Sequence, residues 1–273
     1  MIGPVVDVAW LEQHHAEVVI VDVRWYLDGR SGSDAYEAGH IPKSVFIDLE
    51  RWLSGDSNPS SGRHPLPTPE KFAEGLVQSG IASDDTVVAY DDAGGVIAAR
   101  LVWMLRVTGH GAALLDGGLQ AYSGPLESGV VARPLAAFEA RPWPPERLAD
   151  MSDVTDRANV VLDARNRDRY RGEFDPVDSR PGHVPGARNV PCRESLTEAG
   201  TFRPVGEIRQ KFVDAGVLDG DHVISYCGSG VTACHNLLAL ELAGLGRGRL
   251  YPGSWSQYSL AVDQPVATGD SPG

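Results

Sequence analysis

The chain has 273 residues, enough for two ordinary domains, and its 42% hydrophobic and 22% charged residues are the balance of a globular protein in water. A net charge of -13 argues against nucleic acid or an anionic membrane as a partner, and no apolar run approaches the length that spans a bilayer. Three cysteines, Cys192, Cys227 and Cys234, are too few and too scattered for a disulfide framework, and no basic-then-apolar leader opens the chain, so a reducing, cytoplasmic setting is expected.

In chain order, Asp7 is placed to cap a short helix ending near His14, and residues 18–23 read as a strand. A helical turn over 36–39 precedes a second strand at 45–47. Residues 54–68 are rich in Ser, Gly and Pro and read as a loop. A helix begins at Pro69, where a missing N–H costs nothing, and runs to 79. A strand at 87–90, a helix over 97–108 and a strand at 113–115 follow, the last ending at Asp116-Gly117-Gly118. Strands that alternate with helices, several of them continuously apolar, predict an α/β fold with mostly parallel sheets and helices on both faces. Pro134, Pro142, Pro144 and Pro145 make residues 133–150 an expected extended linker.

The second half repeats the first. Val19-Ile20-Val21-Asp22-Val23-Arg24 matches Val160-Val161-Leu162-Asp163-Ala164-Arg165, and Gly39-His40-Ile41-Pro42 matches Gly182-His183-Val184-Pro185. From Gly80 and Gly216 onward the offset is a constant 136, which aligns Val87-Val88-Ala89-Tyr90 with Val223-Ile224-Ser225-Tyr226. Solenoid repeats are far shorter, so this period predicts two tandem domains, residues 1–132 and 151–273.

The two copies part where chemistry belongs. In the second, the strand ending at Tyr226 runs into Cys227-Gly228-Ser229-Gly230-Val231-Thr232, and an Ala- and Leu-rich helix begins at Ala233. A cysteine at such a turn faces inward N–H groups and the positive end of a helix, a setting that favours a thiolate and an anion bound to its sulfur. The first copy has Asp91 at the position of Cys227, so residues 1–132 are expected to be catalytically inactive. Ligands of such folds bind at the carboxyl ends of strands, where Cys227 falls. Cys234 and His235 lack a second ligand pair at zinc spacing, and no metal site is expected. Asp22 and Asp163 end matching strands in both copies, which points to fold support.

With the duplication, the two Gly-His-aliphatic-Pro stretches and the Cys227 loop in view, the whole chain resembles the tandem-domain rhodanese sulfurtransferases. Gly228 and Ser229 stand where thiosulfate-preferring members carry basic residues, so the loop looks like that of the 3-mercaptopyruvate sulfurtransferase branch. The resemblance implies that Cys227 takes the donor's sulfur as a persulfide and passes it to a thiol, thioredoxin or cyanide, without a cofactor. It implies Ser229 as a second catalytic residue, Gly228, Gly230, Val231 and Thr232 as the active-site loop, and Arg171 and Arg180 as binders of the keto acid. It implies His40 as a proton relay, with Asp34 the nearest acid to support it. The partners expected are a small anionic sulfur donor and a thiol acceptor, with no nucleic acid and no membrane. Thiosulfate as the preferred donor, and a non-enzymatic sulfur-carrier or persulfide-sensing module, stay open. A cysteine-dependent phosphatase needs an arginine closing the loop, and Ala233 follows Thr232 instead.

Overall fold

In the computed structural model, which describes residues 2–273, the chain divides into two compact units. Unit 1 comprises Met1–Gly55, Leu66–Trp143 and Leu196–Phe202; unit 2 comprises Asp56–Pro65, Pro144–Ser195 and Arg203–Gly273. The units are therefore not two contiguous stretches. Each takes one short segment from the other half of the sequence, and the Pro-rich residues 133–150 are divided between them at Trp143 and Pro144.

Unit 1 holds five strands: β1 (Val5–Val6), β2 (Val18–Asp22), β3 (Val45–Phe46), β4 (Thr86–Tyr90) and β5 (Ala112–Leu115). All pair in parallel, in the order β1-β5-β4-β2-β3. Unit 2 holds β6 (Val160–Asp163), β7 (Arg188–Asn189), β8 (Val223–Tyr226) and β9 (Arg249–Leu250), also parallel, in the order β7-β6-β8-β9. The repeat survives in register: Asp22 lies opposite Tyr90 and Asp163 opposite Tyr226. Where β1 would recur, unit 2 keeps a single parallel bridge, Leu148 to Leu250.

The central strands are apolar at successive positions because helices cover both faces of each sheet. Val87, Val88, Ala89 and Tyr90 of β4 are all buried, as are the four residues of β8. Each fully buried Val, Ile or Leu contributes about 1.5–3 kcal/mol. The helix Ala233–Leu242, which follows the Cys227 loop, is buried from Ala233 through Leu240. It has almost no polar face, so it holds the loop to the sheet from the inside rather than lying across the surface.

Two duplicated devices fix the strand ends. Asp22 accepts Arg24 through its backbone N–H and its guanidinium, and Asp163 does the same for Arg165. His40 and His183 stack on Tyr36 and Tyr170, and each donates from Nδ1 to that tyrosine's carbonyl, at 2.8 and 2.7 Å. Both histidines are fully buried.

Candidate active site

The turn after β8 is possible because Gly230 sits at φ +78°; a Cβ there would fall 2.7 Å from the Pro252 carbonyl oxygen. The loop is fastened from the turn after β9. The Cys227 N–H donates to Ser254 Oγ at 3.2 Å, the Trp255 N–H to the Cys227 carbonyl at 3.0 Å, and the Ser256 N–H to the Gly228 carbonyl at 2.8 Å. With its carbonyls held outward, the loop turns N–H groups inward. Gly230 donates to Cys227 Sγ at 3.1 Å. Ser229 and Val231 are buried, and among the described residues their N–H groups make no hydrogen bond. Buried donors without partners are uncommon, and these two lie in the same short loop as the sulfur.

The remaining polar groups come from a stretch that reads only as a loop in the sequence. Residues Asp56–Pro65 belong to unit 2 and carry Arg63 and His64. His64 is buried, and its Nδ1 lies 2.7 Å from Ser229 Oγ. The Arg63 N–H donates to Ser256 Oγ at 3.0 Å, which pins this segment to the turn that also holds the Cys227 loop. Two guanidiniums lie over Gly228: the position of a Cβ there is 3.1 Å from Arg63 Nη2 and 3.4 Å from both Nη atoms of Arg169. The loop is therefore not a cradle without cations. The positive charges come from elsewhere in the chain.

An alternating chain of charges sets those guanidiniums in place. Arg165 pairs with Asp163 and Asp175; Arg169 pairs with Asp175 at 3.1 Å and Asp178 at 2.6 Å; Asp178 also accepts Arg63 Nη1. Asp175 and Asp178 are almost fully buried. A buried carboxylate held by two guanidiniums keeps both rigid, because moving either leaves a charge unpaired. Arg63 and Asp178 also line a cavity of about 410 Å³ with Asn58, Ser179, Ser256 and Ser259. A larger cavity of about 710 Å³ runs along β7 past Asn189 and Lys211, and none of the Cys227 loop lines it.

The structure thus places four of the expected residues differently. Arg171 pairs at the surface with Asp270, at 2.6 Å, and with Glu173. It shares a one-turn helix, Arg167–Arg171, with Arg169, and residues two apart on a helix point in divergent directions. The arginine over the loop is Arg169. Arg180 donates to the carbonyls of Ser259, Gln264, Tyr258 and Ala261, so it ties down the C-terminal segment instead of facing the sulfur. His40 is committed to Tyr36 and lies 4.0 Å from Glu127; the histidine on Ser229 is His64. The Asp34 carboxylate makes no hydrogen bond to His40, His64 or Ser229; its N–H is capped by Ser31 Oγ at 3.1 Å. In the sequence Arg63 and His64 show only as two adjacent basic residues between Gly62 and Pro65, where the second copy has Arg203 alone before Pro204.

The other cysteines have quieter surroundings. Burial pushes the Cys192 thiol up to about 11, so it stays protonated at neutral pH. Cys234 Sγ faces the Gly230 carbonyl at 3.4 Å from the buried helix.

Comparison with known proteins agrees with this architecture. The model of the rhodanese-like domain matches twice, over residues 7–124 and 144–261. The 3-mercaptopyruvate sulfurtransferase of Escherichia coli K12 is 35% identical over 94% of this chain and 95% of its own length. The thiosulfate/3-mercaptopyruvate sulfurtransferase 2 of Arabidopsis thaliana is 32% identical over 98% of this chain and 87% of its own. The solved structure of 3-mercaptopyruvate sulfurtransferase from Leishmania major superposes with a TM-score of 0.86 at 32% identity, over 97% of this chain and 76% of that one. Two matches to one domain model, and relatives that align along nearly the whole chain, give a single conclusion: the chain belongs to the rhodanese-like family, as a tandem-domain sulfurtransferase.

Proposed function

We propose that the protein moves sulfur from 3-mercaptopyruvate to a thiol acceptor such as thioredoxin, or to cyanide, by way of a persulfide on Cys227. The observation that carries this reading is the Cys227 loop, where one N–H already points at the sulfur and the N–H groups of Ser229 and Val231 have no partner among the described residues. The Cys227 thiolate attacks the donor's sulfur and the carbon–sulfur bond breaks. The electron pair stays on carbon as the enolate of pyruvate, and a proton converts it to pyruvate. Ser229 delivers that proton and His64 resupplies it, a role supported by the 2.7 Å between His64 Nδ1 and Ser229 Oγ. Arg63 and Arg169 hold the donor's carboxylate. The loop amides then stabilise the negative outer sulfur until an acceptor thiolate attacks it.

Thiosulfate is the second reading, favoured by the same two guanidiniums, which suit any small anion. One experiment tests the main reading and separates it from a carrier that reacts once. Steady-state pyruvate release from 3-mercaptopyruvate is measured with wild type and Cys227→Ser, together with the mass of the donor-treated protein. Repeated turnover, a protein one sulfur atom heavier, and a fall of about 10³-fold or more in Cys227→Ser are expected. A single turnover, or a variant that keeps its rate, refutes the reading.

A further inference from the structure

The loop itself has no cation after Cys227, yet two guanidiniums stand over Gly228, so charge in the loop alone does not set which donor the site prefers. We propose that Asp178 sets that preference, by offsetting the charge of Arg63 and Arg169 so that a singly charged donor is favoured over a doubly charged one. The inference rests on the reading above, in which these two arginines receive the donor's anionic group.

The geometry singles out Asp178. One of its oxygens accepts Arg63 Nη1 and the other accepts Arg169 Nη2 at 2.6 Å. No other carboxylate among the described residues pairs with both. Among the described residues Arg63 Nη2 and Arg169 Nη1 have no hydrogen-bond partner, and both lie near Gly228. Asp178 thus sits on the two guanidiniums and leaves one edge of each for a ligand. The cluster is neutral as it stands, with Arg63, Arg165 and Arg169 set against Asp163, Asp175 and Asp178.

A fixed, almost fully buried carboxylate so close to the binding edges repels an incoming anion in proportion to that anion's charge. It opposes a dianion such as thiosulfate about twice as strongly as the monocarboxylate of 3-mercaptopyruvate. Water does little to screen it, because Asp178 is 2% exposed. Asp175 does not share the role. It lies between Arg165 and Arg169, never touches Arg63, and accepts the backbone N–H groups of Val177 and Asp178, as a scaffold residue does.

The test uses the full chain with Asp178→Asn and Asp178→Glu. In Asp178→Asn the ratio of kcat/KM for thiosulfate to that for 3-mercaptopyruvate is expected to rise about tenfold, and the Kd of inorganic sulfate to fall by a similar factor. Asp178→Glu, which keeps the charge, retains the wild-type ratio. Asp178→Ser repeats both measurements if the Asn amide displaces a guanidinium or the Asn variant does not fold. A proportional loss with both donors and an unchanged sulfate affinity overturns the proposal, since Asp178 then only positions the arginines. If the wild type turns over neither donor, the functional reading fails, and the sulfate titration still decides the role of Asp178.

Discussion

The loops at Asp91 and Cys227 start from equivalent strands, β4 and β8, and differ most at their first side chain. Asp91 folds back into its own loop and accepts four backbone N–H groups: Ala93 and Gly95 on Oδ1 at 2.7 and 2.8 Å, Ile97 and Ala98 on Oδ2 at 2.7 and 2.9 Å. The loop in unit 1 is an anion receptor that its own carboxylate fills. Cys227 has no oxygens to fill the same shape, and its sulfur takes one N–H, from Gly230. The fold therefore supplies the anion site in both copies. What the second copy adds is a side chain that leaves part of it for something else.

The cover over each loop differs in the same sense. In unit 1 the segment Leu196–Phe202 lies on the Asp91 loop: a Cβ at Gly94 would meet Leu196 Cδ1 at 2.5 Å. In unit 2 the cover is Asp56–Pro65, which brings Arg63 and His64. The first lid meets a self-filled nest through Leu196; the second sets Arg63 and His64 beside a loop that Cys227 does not fill.

Asp91→Ala carries the largest expected effect. It strands four donors, three of them buried and that of Ala93 part-buried, so a loss of about 3–5 kcal/mol is expected from the urea midpoint at constant m-value. Cys227→Ser should shift the same midpoint by no more than about 1 kcal/mol. Equal losses would mean that the two loops are held the same way. Next in size, Arg169→Gln is expected to lower kcat/KM for the keto-acid donor by about 10²-fold, chiefly through KM, whereas Arg171→Gln stays within about twofold. The reverse order would return the donor's carboxylate to Arg171. The smallest effect is His64→Ala, with kcat down by about tenfold and KM little changed. His40→Ala instead lowers stability, through the lost stack on Tyr36, before it touches kcat in the protein that remains folded.

The duplicated sheet, the strand ends at Asp22 and Asp163 and the turn that carries Cys227 are legible because each rests on local pattern. Alternation, apolar runs and a Cys-Gly-Ser-Gly turn are short-range signals. Arg63 and His64 were not legible, because their role is created by a contact with Ser229 and Ser256 more than 160 residues away, from a segment whose composition says only loop. Arg169, which lies over Gly228, is two residues from Arg171, a distance that sequence likeness tolerates and a helix does not, since it swings the side chain to the far side. Arg180 misled for another reason. An arginine that satisfies four carbonyls looks, in sequence, like an arginine awaiting a substrate.

The crossed membership of Asp56–Pro65 and Leu196–Phe202 also bears on how the molecule is made. Emerging from a ribosome, the first half cannot close over its Asp91 nest until residue 202 has been synthesised, well into the second half. The second half finds Arg63 and His64 already waiting in the nascent chain. Synthesis order thus delays completion of unit 1 and puts in place beforehand the basic residues that the Cys227 loop will meet. A gene encoding residues 151–273 alone would specify the thiol and the loop but neither of those residues.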